Sequence, residues 1–248
     1  MKRESFTEKM NSATRSNIEY KVEPSNAAEI FLQWLTNAPW PINTIAYRKL
    51  KRRYAPRTEE IFRNIVSTLT SDDIVLDLGA NVGEYTELLA KTGATVIAYE
   101  PDPYAHKRLT EIGQKYPNII IHNKAVTQIA QITRFESSVK IENGQTVQSA
   151  KASKIISEGK ESFNSITIKT ESFSNIIGKY KYIKLIKCDI EGSELSILQN
   201  ITKNQLEKIG HMFVETHERL YPETFSEILK INKYFHSLNK TNINLYWR

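Results

Sequence analysis

The 248-residue chain contains a single cysteine, Cys188, and has no long apolar run. One cysteine excludes an internal disulfide and any metal site built from several cysteines. A membrane helix needs roughly 18 consecutive apolar residues, and no segment approaches that length. Residues 1–21 are polar and carry no charged-then-apolar leader. We therefore expect a cytoplasmic protein without a transmembrane segment.

Glycine is also scarce, and its placement is informative. A dinucleotide-binding turn follows the pattern Gly-x-Gly-x-x-Gly, because side chains would keep the backbone away from the pyrophosphate. Residues 74–83 read Ile-Val-Leu-Asp-Leu-Gly-Ala-Asn-Val-Gly, so only Gly79 and Gly83 lie at this turn. One glycine of the dinucleotide pattern is missing, which counts against NAD as the ligand.

The same segment still has the form of a nucleotide-type cofactor site. An apolar strand ends near Asp77, a glycine turn follows, and helical spacing begins at Glu84. Glu100 closes a second apolar strand, where a carboxylate can accept hydrogen bonds from ribose hydroxyls. A carboxylate at Asp77 would repel a diphosphate but suits a cation. S-adenosylmethionine, which carries an ammonium, a sulfonium and no phosphate, is favoured over NAD.

The order of apolar strands and helical stretches indicates an α/β fold. Residues 74–77, 95–99 and 119–121 are strand-like with helical stretches between them, and this order predicts a parallel sheet with helices on both faces. Asp102 and Pro103 supply a cap and a first-turn proline for one helix. Further strands are predicted at residues 132–135, 166–169, 182–188, 212–215 and 243–247.

Five short motifs occur in the order known from one enzyme family. They are Asp77-x-Gly79-Ala80-Asn81-x-Gly83, Glu100-Pro101-Asp102-Pro103, Asn123-Lys124-Ala125-Val126, residues 187–194 and Glu215-Thr216-His217. With these motifs the chain resembles the FkbM family of S-adenosylmethionine-dependent methyltransferases over residues 61–218. The resemblance implies a class I, Rossmann-like methyltransferase fold with a mostly parallel sheet of seven strands and helices on both faces. It also implies O-methylation of a hydroxyl on a sugar, glycan or secondary-metabolite acceptor.

Residues 1–57 carry no part of this resemblance. We expect them to form a helical, partly flexible extension before a methyltransferase domain at residues 58–248, with Thr58 capping the first helix of that domain. Residues 149–165 are rich in Ser, Lys and Glu and are predicted to form an exposed loop. The length suits one α/β domain with such an extension.

The predicted cofactor site lies at the carboxyl ends of the strands, where open α/β sheets bind ligands. Asp77 is assigned to the methionyl ammonium, directly or through water, and Glu100 to the ribose. Gly79 and Gly83 let the backbone approach the cofactor, whereas Asn81 either orients its carboxylate or only caps a helix. The remaining candidates for cofactor binding are Ala80, Pro101, Asn123, Ala125 and Asp189.

The predicted catalytic residues follow the next two strands. His217 is the best candidate base because its ordinary pKa lies near neutrality, and Asp189 is the alternative. Lys187 either forms a structural ion pair with Asp189 or Glu191 or takes part in catalysis, and Glu191 and Glu215 complete the set. The three carboxylates and His217 could ligate a divalent ion, but their spacing matches no recognised metal signature, so no metal is predicted.

The net charge of +6 is concentrated in residues 48–57, Arg-Lys-Leu-Lys-Arg-Arg-Tyr-Ala-Pro-Arg. Such a stretch can attract nucleic acid, anionic lipid or a phosphorylated substrate, but a basic run alone carries no readout. A solvated helix face is the simpler interpretation. If the stretch is functional, it indicates a small-molecule or glycan acceptor that is anionic. Two other functions stay open, an NAD-type oxidoreductase and a noncatalytic cofactor-binding or scaffold protein on the same fold.

Overall fold

The structure is a computed structural model that describes residues 22–137, 141–142, 145–146, 154–155, 165–217, 224–237, 242–245 and 247. The helices are α1 (Ala27–Leu35), α2 (Ile42–Val66), α3 (Glu84–Ala90), α4 (Pro103–Gly113), α5 (Phe173–Gly178), α6 (Glu194–Asn200), α7 (Lys203–Glu207) and α8 (Phe225–Ser237). The strands are β1 (Ile74–Leu78), β2 (Thr95–Tyr99), β3 (Ile119–His122), β4 (Ala125–Thr127), β5 (Ile132–Glu136), β6 (Ile141–Glu142), β7 (Gln145–Thr146), β8 (Lys154–Ile155), β9 (Ser165–Ser172), β10 (Ile183–Cys188), β11 (Ile209–Val214) and β12 (Ile243–Asn244).

The main sheet has six strands in the order β12-β11-β10-β1-β2-β3, and every neighbouring pair is parallel. This confirms the predicted α/β class. The predicted count of seven strands is wrong by one for the described residues, since the segments predicted at residues 132–135 and 166–169 pair in a separate sheet. The last predicted strand is also shorter, with Ile243–Asn244 paired to β11.

A second sheet has four strands in the order β4-β9-β5-β8. Val126 of β4 and Phe135 of β5 line the same cleft as Glu100 at the end of β2. β5 and β9 pair antiparallel, as the β-branched residues of both segments predicted. The segment predicted as an exposed loop, residues 149–165, contributes β8, which pairs with β5. The loop prediction is therefore wrong at Lys154–Ile155, and residues 149–153 and 156–164 lie outside the described residues.

Helix α2 continues through the position at which a helix start was predicted. The Thr58 hydroxyl lies in the middle of α2 and donates to the Tyr54 carbonyl at 3.0 Å, so Thr58 is not an N-cap. The apolar face runs through the whole helix, from Ala46 to Val66, and packing of that face keeps the chain helical past Pro56. The boundary predicted between residues 57 and 58 thus falls within a helix, and the division into two parts stays a prediction.

The central strands of the main sheet, β1, β2, β10 and β11, are buried on both faces, as parallel sheets with helices on both sides require. Neighbouring residues of β1 show this, because Leu76 belongs to one apolar cluster and Val75 to the other. In the second cluster the fully buried Trp247 ring lies 5.4 Å from the Phe62 ring of α2. Packing on both faces leaves only the strand ends for a ligand. Within the described part of the chain, no helix is both long and apolar enough to cross a membrane.

Candidate active site

The turn after β1 is shaped by a close approach of two strand ends. Gly79 has φ of 75°, and its N–H and that of Ala80 both donate to the Tyr99 carbonyl at 3.0 Å. A Cβ atom at Gly79 would lie 1.7 Å from the Asp189 carbonyl oxygen. Only glycine fits both the left-handed backbone and this contact. The absence of a side chain therefore lets the β1 turn lie directly against Asp189.

Gly83 lies where the turn after β1 packs against α4. It precedes α3 with φ of 92°, and a Cβ atom there would lie 2.6 Å from Ile112 Cδ1. Gly83 therefore permits close packing of the turn on α4, and it is not among the residues that line the two clefts described below. Asn81 has φ of 51°, and its side chain accepts a hydrogen bond from Val82 N at 2.8 Å.

Glu100 is held by backbone hydrogen bonds at the end of β2. Its side chain is buried, and its two oxygens accept from Asn81 N at 2.7 Å and from Asp102 N at 2.8 Å. Burial raises the pKa of Glu100 to about 7, although both backbone hydrogen bonds act in the opposite direction. Asn123, predicted as a cofactor-binding residue, donates to the Glu100 carbonyl at 2.9 Å. It supports the turn that carries Glu100.

Two clefts meet at the carboxyl edge of the sheet. The first, of about 520 Å³, is lined by Gly79, Asn81, Tyr99, Glu100, Pro101, Lys124, Ala125, Val126, Phe135, Ile155, Asp189, Ile190 and Glu191. The second, of about 670 Å³, is lined by Ala80, Asn81, Val82, Glu84, Tyr85, Lys187, Asp189, Glu191 and Glu215. Asn81, Asp189 and Glu191 line both clefts, so a group lying at the junction contacts these side chains.

Asp77 does not present a free carboxylate to either cleft. It is fully buried, its Oδ1 lies 3.2 Å from Lys187 Nζ, and its Oδ2 accepts from the Thr86 hydroxyl at 2.6 Å. The predicted acidic rim at the end of β1 is therefore largely neutralised by Lys187. Any effect of Asp77 on a ligand acts through Lys187 or through water, because the carboxylate is not among the groups that line the clefts.

Lys187 is a buried structural cation. Its Nζ also donates to the Gly79 carbonyl and lies 3.8 Å from Asp189 Oδ2. Burial lowers the pKa of Lys187, but the Asp77 and Asp189 carboxylates outweigh burial and hold the pKa above its ordinary value. Of the two roles predicted for Lys187, these contacts favour the ion pair, since a permanently charged ammonium accepts no proton.

The predicted catalytic residues do lie together. Glu215 N donates to the Cys188 carbonyl at 2.9 Å, which places the end of β11 beside the end of β10. His217 Nε2 then lies 3.5 Å from Asp189 Oδ1 and 3.2 Å from Glu191 Oε2. Its other ring nitrogen, Nδ1, lies 3.1 Å from Glu194 Oε1. The imidazole thus lies among three carboxylates.

The charges of this group argue against the predicted base. Burial lowers the pKa of His217, but Glu194, Glu191 and Asp189 outweigh burial and raise the pKa to about 9. For the Glu191 carboxyl the effect of burial is in the other direction, and it raises the pKa of Glu191 to about 7. In the unliganded protein the ring is therefore protonated near neutral pH and cannot accept a proton. The alternative base, Asp189, lies at the junction of the clefts.

Glu194 is the last residue of the motif at residues 187–194, but no role was predicted for it. Its oxygens accept from Ile190 N at 2.9 Å and from Gly192 N at 2.8 Å, which fixes the turn carrying Glu191. A glutamate in the first turn of a predicted helix, beside a glycine, was the signal available. Phe135 and Ile155 of the first cleft were also missed, since no local pattern connects the second sheet with the cofactor region.

The basic stretch at residues 48–57 is part of α2 and reaches the site at one position. Lys51 Nζ donates to the Thr216 carbonyl at 2.7 Å, next to His217. Arg52 and Arg53 are exposed, as expected for a solvated helix face. The stretch therefore lies near the β11 end, which is compatible with an anionic acceptor, while most of its charge faces solvent.

Comparison with known proteins defines the family. A sequence model described as the methyltransferase FkbM domain matches residues 77–241. The hexuronic acid methyltransferase AglP of Haloferax volcanii is 28% identical over 187 residues, which cover 74% of this chain and 72% of that protein. Ribosomal RNA small subunit methyltransferase A of Thermotoga maritima is 40% identical, over only 34% of this chain and 27% of that protein.

A solved structure shows a weaker similarity. Precorrin-6y C5,15-methyltransferase from Geobacter metallireducens superposes with a TM-score of 0.36 and 11% identity, covering 70% of this chain and 71% of that one. The assignment therefore depends on the family match and on the order of the parallel strands. The chain belongs to the FkbM family of methyltransferases.

Proposed function

We propose that the protein is an S-adenosylmethionine-dependent O-methyltransferase that acts on a hydroxyl of a sugar or glycan. The observation that carries this proposal is the meeting of two clefts at Asp189 and Glu191, with the buried Glu100 carboxylate in the first cleft. Bound S-adenosylmethionine would supply an electrophilic methyl group on a sulfonium. The similarity to the hexuronic acid methyltransferase of Haloferax volcanii supports a uronic acid unit as acceptor.

The first cleft fits the adenosine part of such a cofactor. Glu100 offers carboxylate oxygens to ribose hydroxyls, and each oxygen already accepts one backbone hydrogen bond that fixes its direction. Val126 and Phe135 give the cleft apolar walls suited to a purine ring. Asn81, in the turn shared by both clefts, is assigned to the methionyl end.

The second cleft would hold the acceptor. Positioning an acceptor hydroxyl in line with the methyl group can supply much of the rate enhancement. Asp189 is assigned as the group that takes up the hydroxyl proton, since it lies at the junction and His217 is already protonated. His217 and Lys187 orient Asp189 from two sides, at 3.5 Å and 3.8 Å.

The oxidoreductase and scaffold alternatives predict different results. A noncatalytic protein would bind S-adenosylhomocysteine without producing a methylated product, and an oxidoreductase would bind NAD. Incubation with S-adenosylmethionine and free or glycan-linked hexuronic acids, followed by mass spectrometry, tests the proposal. It predicts a product heavier by one methylene, and NAD binding without S-adenosylhomocysteine binding would refute it.

Replacing Glu100 by alanine is expected to weaken S-adenosylhomocysteine binding by about 10- to 100-fold, because hydrogen bonds to a charged acceptor contribute about 1.5–3 kcal/mol. Isothermal titration calorimetry measures the change. Glu111→Gln is the matched control, since Glu111 is half exposed, forms a salt bridge with Arg108 on α4 and lines neither cleft. Equal affinities for the wild type and Glu100→Ala would remove the ribose assignment.

The same carboxylate predicts a pH dependence of cofactor affinity. Ribose hydroxyls donate to the ionised carboxylate, and the pKa of Glu100 in the unliganded protein is about 7. Below pH 7 the bound proton must leave before the ligand binds, so affinity rises as pH rises through 7. We expect roughly tenfold tighter S-adenosylhomocysteine binding at pH 8 than at pH 6. The part of this pH dependence that Glu100 causes should disappear in Glu100→Ala. If affinity still rises equally with pH in this variant, other groups, such as Glu191, cause the pH dependence.

A further inference from the structure

Three ligand atoms converge on one point behind the junction of the clefts. Asp189, Glu191 and His217 each offer one such atom, and the three atoms lie within 4.8 Å of one another. The imidazole nitrogen lies 3.5 Å from the aspartate oxygen and 3.2 Å from the glutamate oxygen. Neighbouring ligands of an ion with bonds of about 2.1 Å lie about 3.0 Å apart, so these separations match one face of a coordination shell.

A second observation is that this convergence is incompletely satisfied. Asp189 Oδ1 is a buried atom with no hydrogen-bond partner among the described residues, and it faces His217 Nε2. Buried carboxylate oxygens are costly unless a donor or a cation satisfies them. In the unliganded protein the protonated His217 ring faces these carboxylates, and a metal ion that binds here displaces the Nε2 proton and takes over its positive charge.

Glu194 directs the ring nitrogen toward that position. Its carboxylate is fixed by the N–H groups of Ile190 and Gly192 and lies 3.1 Å from His217 Nδ1. A carboxylate at this distance from Nδ1 stabilises the proton on that nitrogen, so Nε2 is the nitrogen that loses its proton when an ion binds. Histidine ligands of metal ions generally have such a second partner.

We propose that Asp189, Glu191 and His217 bind one divalent cation, which completes the acceptor site of the proposed methyltransferase. Two carboxylates and one imidazole are donors that suit Mn²⁺, Mg²⁺ or Zn²⁺. A six-coordinate ion held by three protein atoms keeps three positions for water or for acceptor oxygens. The inference rests on the proposed function for the identity of the acceptor, but not for the binding of the ion.

The negative charge of the second cleft favours the binding of a cation. Glu84, Glu191 and Glu215 line it together with Asp189, and Lys187 already pairs with Asp77. A uronic acid would meet this negative wall with its own carboxylate. A divalent ion removes the repulsion and can chelate the sugar through its oxygens.

The ion also accounts for the proton of the acceptor. A coordinated hydroxyl loses its proton more readily, which generates the nucleophile near neutral pH. In the transfer the O–H bond and the donor S–C bond break and the O–C bond forms. The electron pair of the S–C bond stays on sulfur, and the proton passes to a carboxylate of the cleft and then to solvent.

Titration of the full chain with Mn²⁺, followed by electron paramagnetic resonance of the free ion, tests the site directly. We expect one bound Mn²⁺ in the wild type and at least tenfold weaker binding in Glu191→Gln and in His217→Asn. Glu84→Gln is the matched control, because it removes a carboxylate from the same cleft outside the triad. Its Mn²⁺ affinity should stay within about twofold of the wild type, since Glu84 is not one of the three proposed ligands and the surrounding water screens its charge.

S-adenosylhomocysteine binding, measured in parallel with and without a chelator, separates this inference from the proposed function. Intact S-adenosylhomocysteine binding with no binding of Mn²⁺, Mg²⁺ or Zn²⁺ at millimolar concentration would overturn the metal site and leave the proposed function standing. Equal loss of Mn²⁺ affinity in Glu84→Gln and Glu191→Gln would also overturn it. One Mn²⁺ bound with the predicted loss in both triad variants supports the site even if S-adenosylhomocysteine fails to bind.

Discussion

Replacing Lys187 by methionine is expected to lower the free energy of unfolding by about 3–5 kcal/mol. The ammonium is 3% exposed and lies 3.2 Å from the fully buried Asp77, so its removal leaves a carboxylate in the core without a counter-charge. The Gly79 carbonyl loses its donor at the same time. Urea unfolding followed by circular dichroism measures the change as a lower midpoint at constant slope.

Two further variants distinguish an ion pair from a general effect of removing a lysine. Asp77→Asn combined with Lys187→Met should recover a large part of the lost stability, because the uncompensated charge is then gone. Lys179→Met removes an exposed lysine that lies 3.4 Å from Glu171, and it should change stability by less than about 1 kcal/mol. A similar loss in Lys179→Met and Lys187→Met would contradict the buried pair.

Replacing Gly79 by alanine is expected to destabilise the protein by about 3 kcal/mol or more. The left-handed backbone alone costs a non-glycine residue about 1–3 kcal/mol. The new methyl group would also lie 1.7 Å from the Asp189 carbonyl oxygen, so β1 and β10 must separate at their ends. Since Asp189 lies in both clefts, S-adenosylhomocysteine affinity should fall together with stability in calorimetry.

Gly178→Ala is the matched control for this substitution. Gly178 ends α5, and nothing lies within 4 Å of the position of an added Cβ. Alanine favours a helix over glycine by up to about 1 kcal/mol, so this variant should be as stable as the wild type or more stable. Unchanged stability and ligand affinity in Gly79→Ala would show that the close approach of the two strands is not required.

The local structure at residues 74–83 and at Asp102 could be predicted from the sequence, because it depends on residues that are adjacent in the chain. The strand and the turn at residues 74–83 and the cap at Asp102 follow from apolar runs, glycine placement and N-cap chemistry, and all appear in the structure. The Asp102 side chain accepts from Tyr104 N at 2.9 Å, as a cap predicts. The start of helix α2 was predicted wrongly. Threonine is a common N-cap residue, but Thr58 lies on the buried face of a helix that packing extends past it.

By itself, the sequence determined the α/β class, the order of the strands along the chain and the set of polar residues at their ends. These properties follow from the periodicity of apolar residues and from short motifs, each of which spans only a few neighbouring residues. Only the tertiary structure decided the partners, namely that Asp77 pairs with Lys187 and that His217 lies among Asp189, Glu191 and Glu194. These contacts join residues far apart in the chain, and burial and charge at their meeting point change protonation in a way that no single segment encodes.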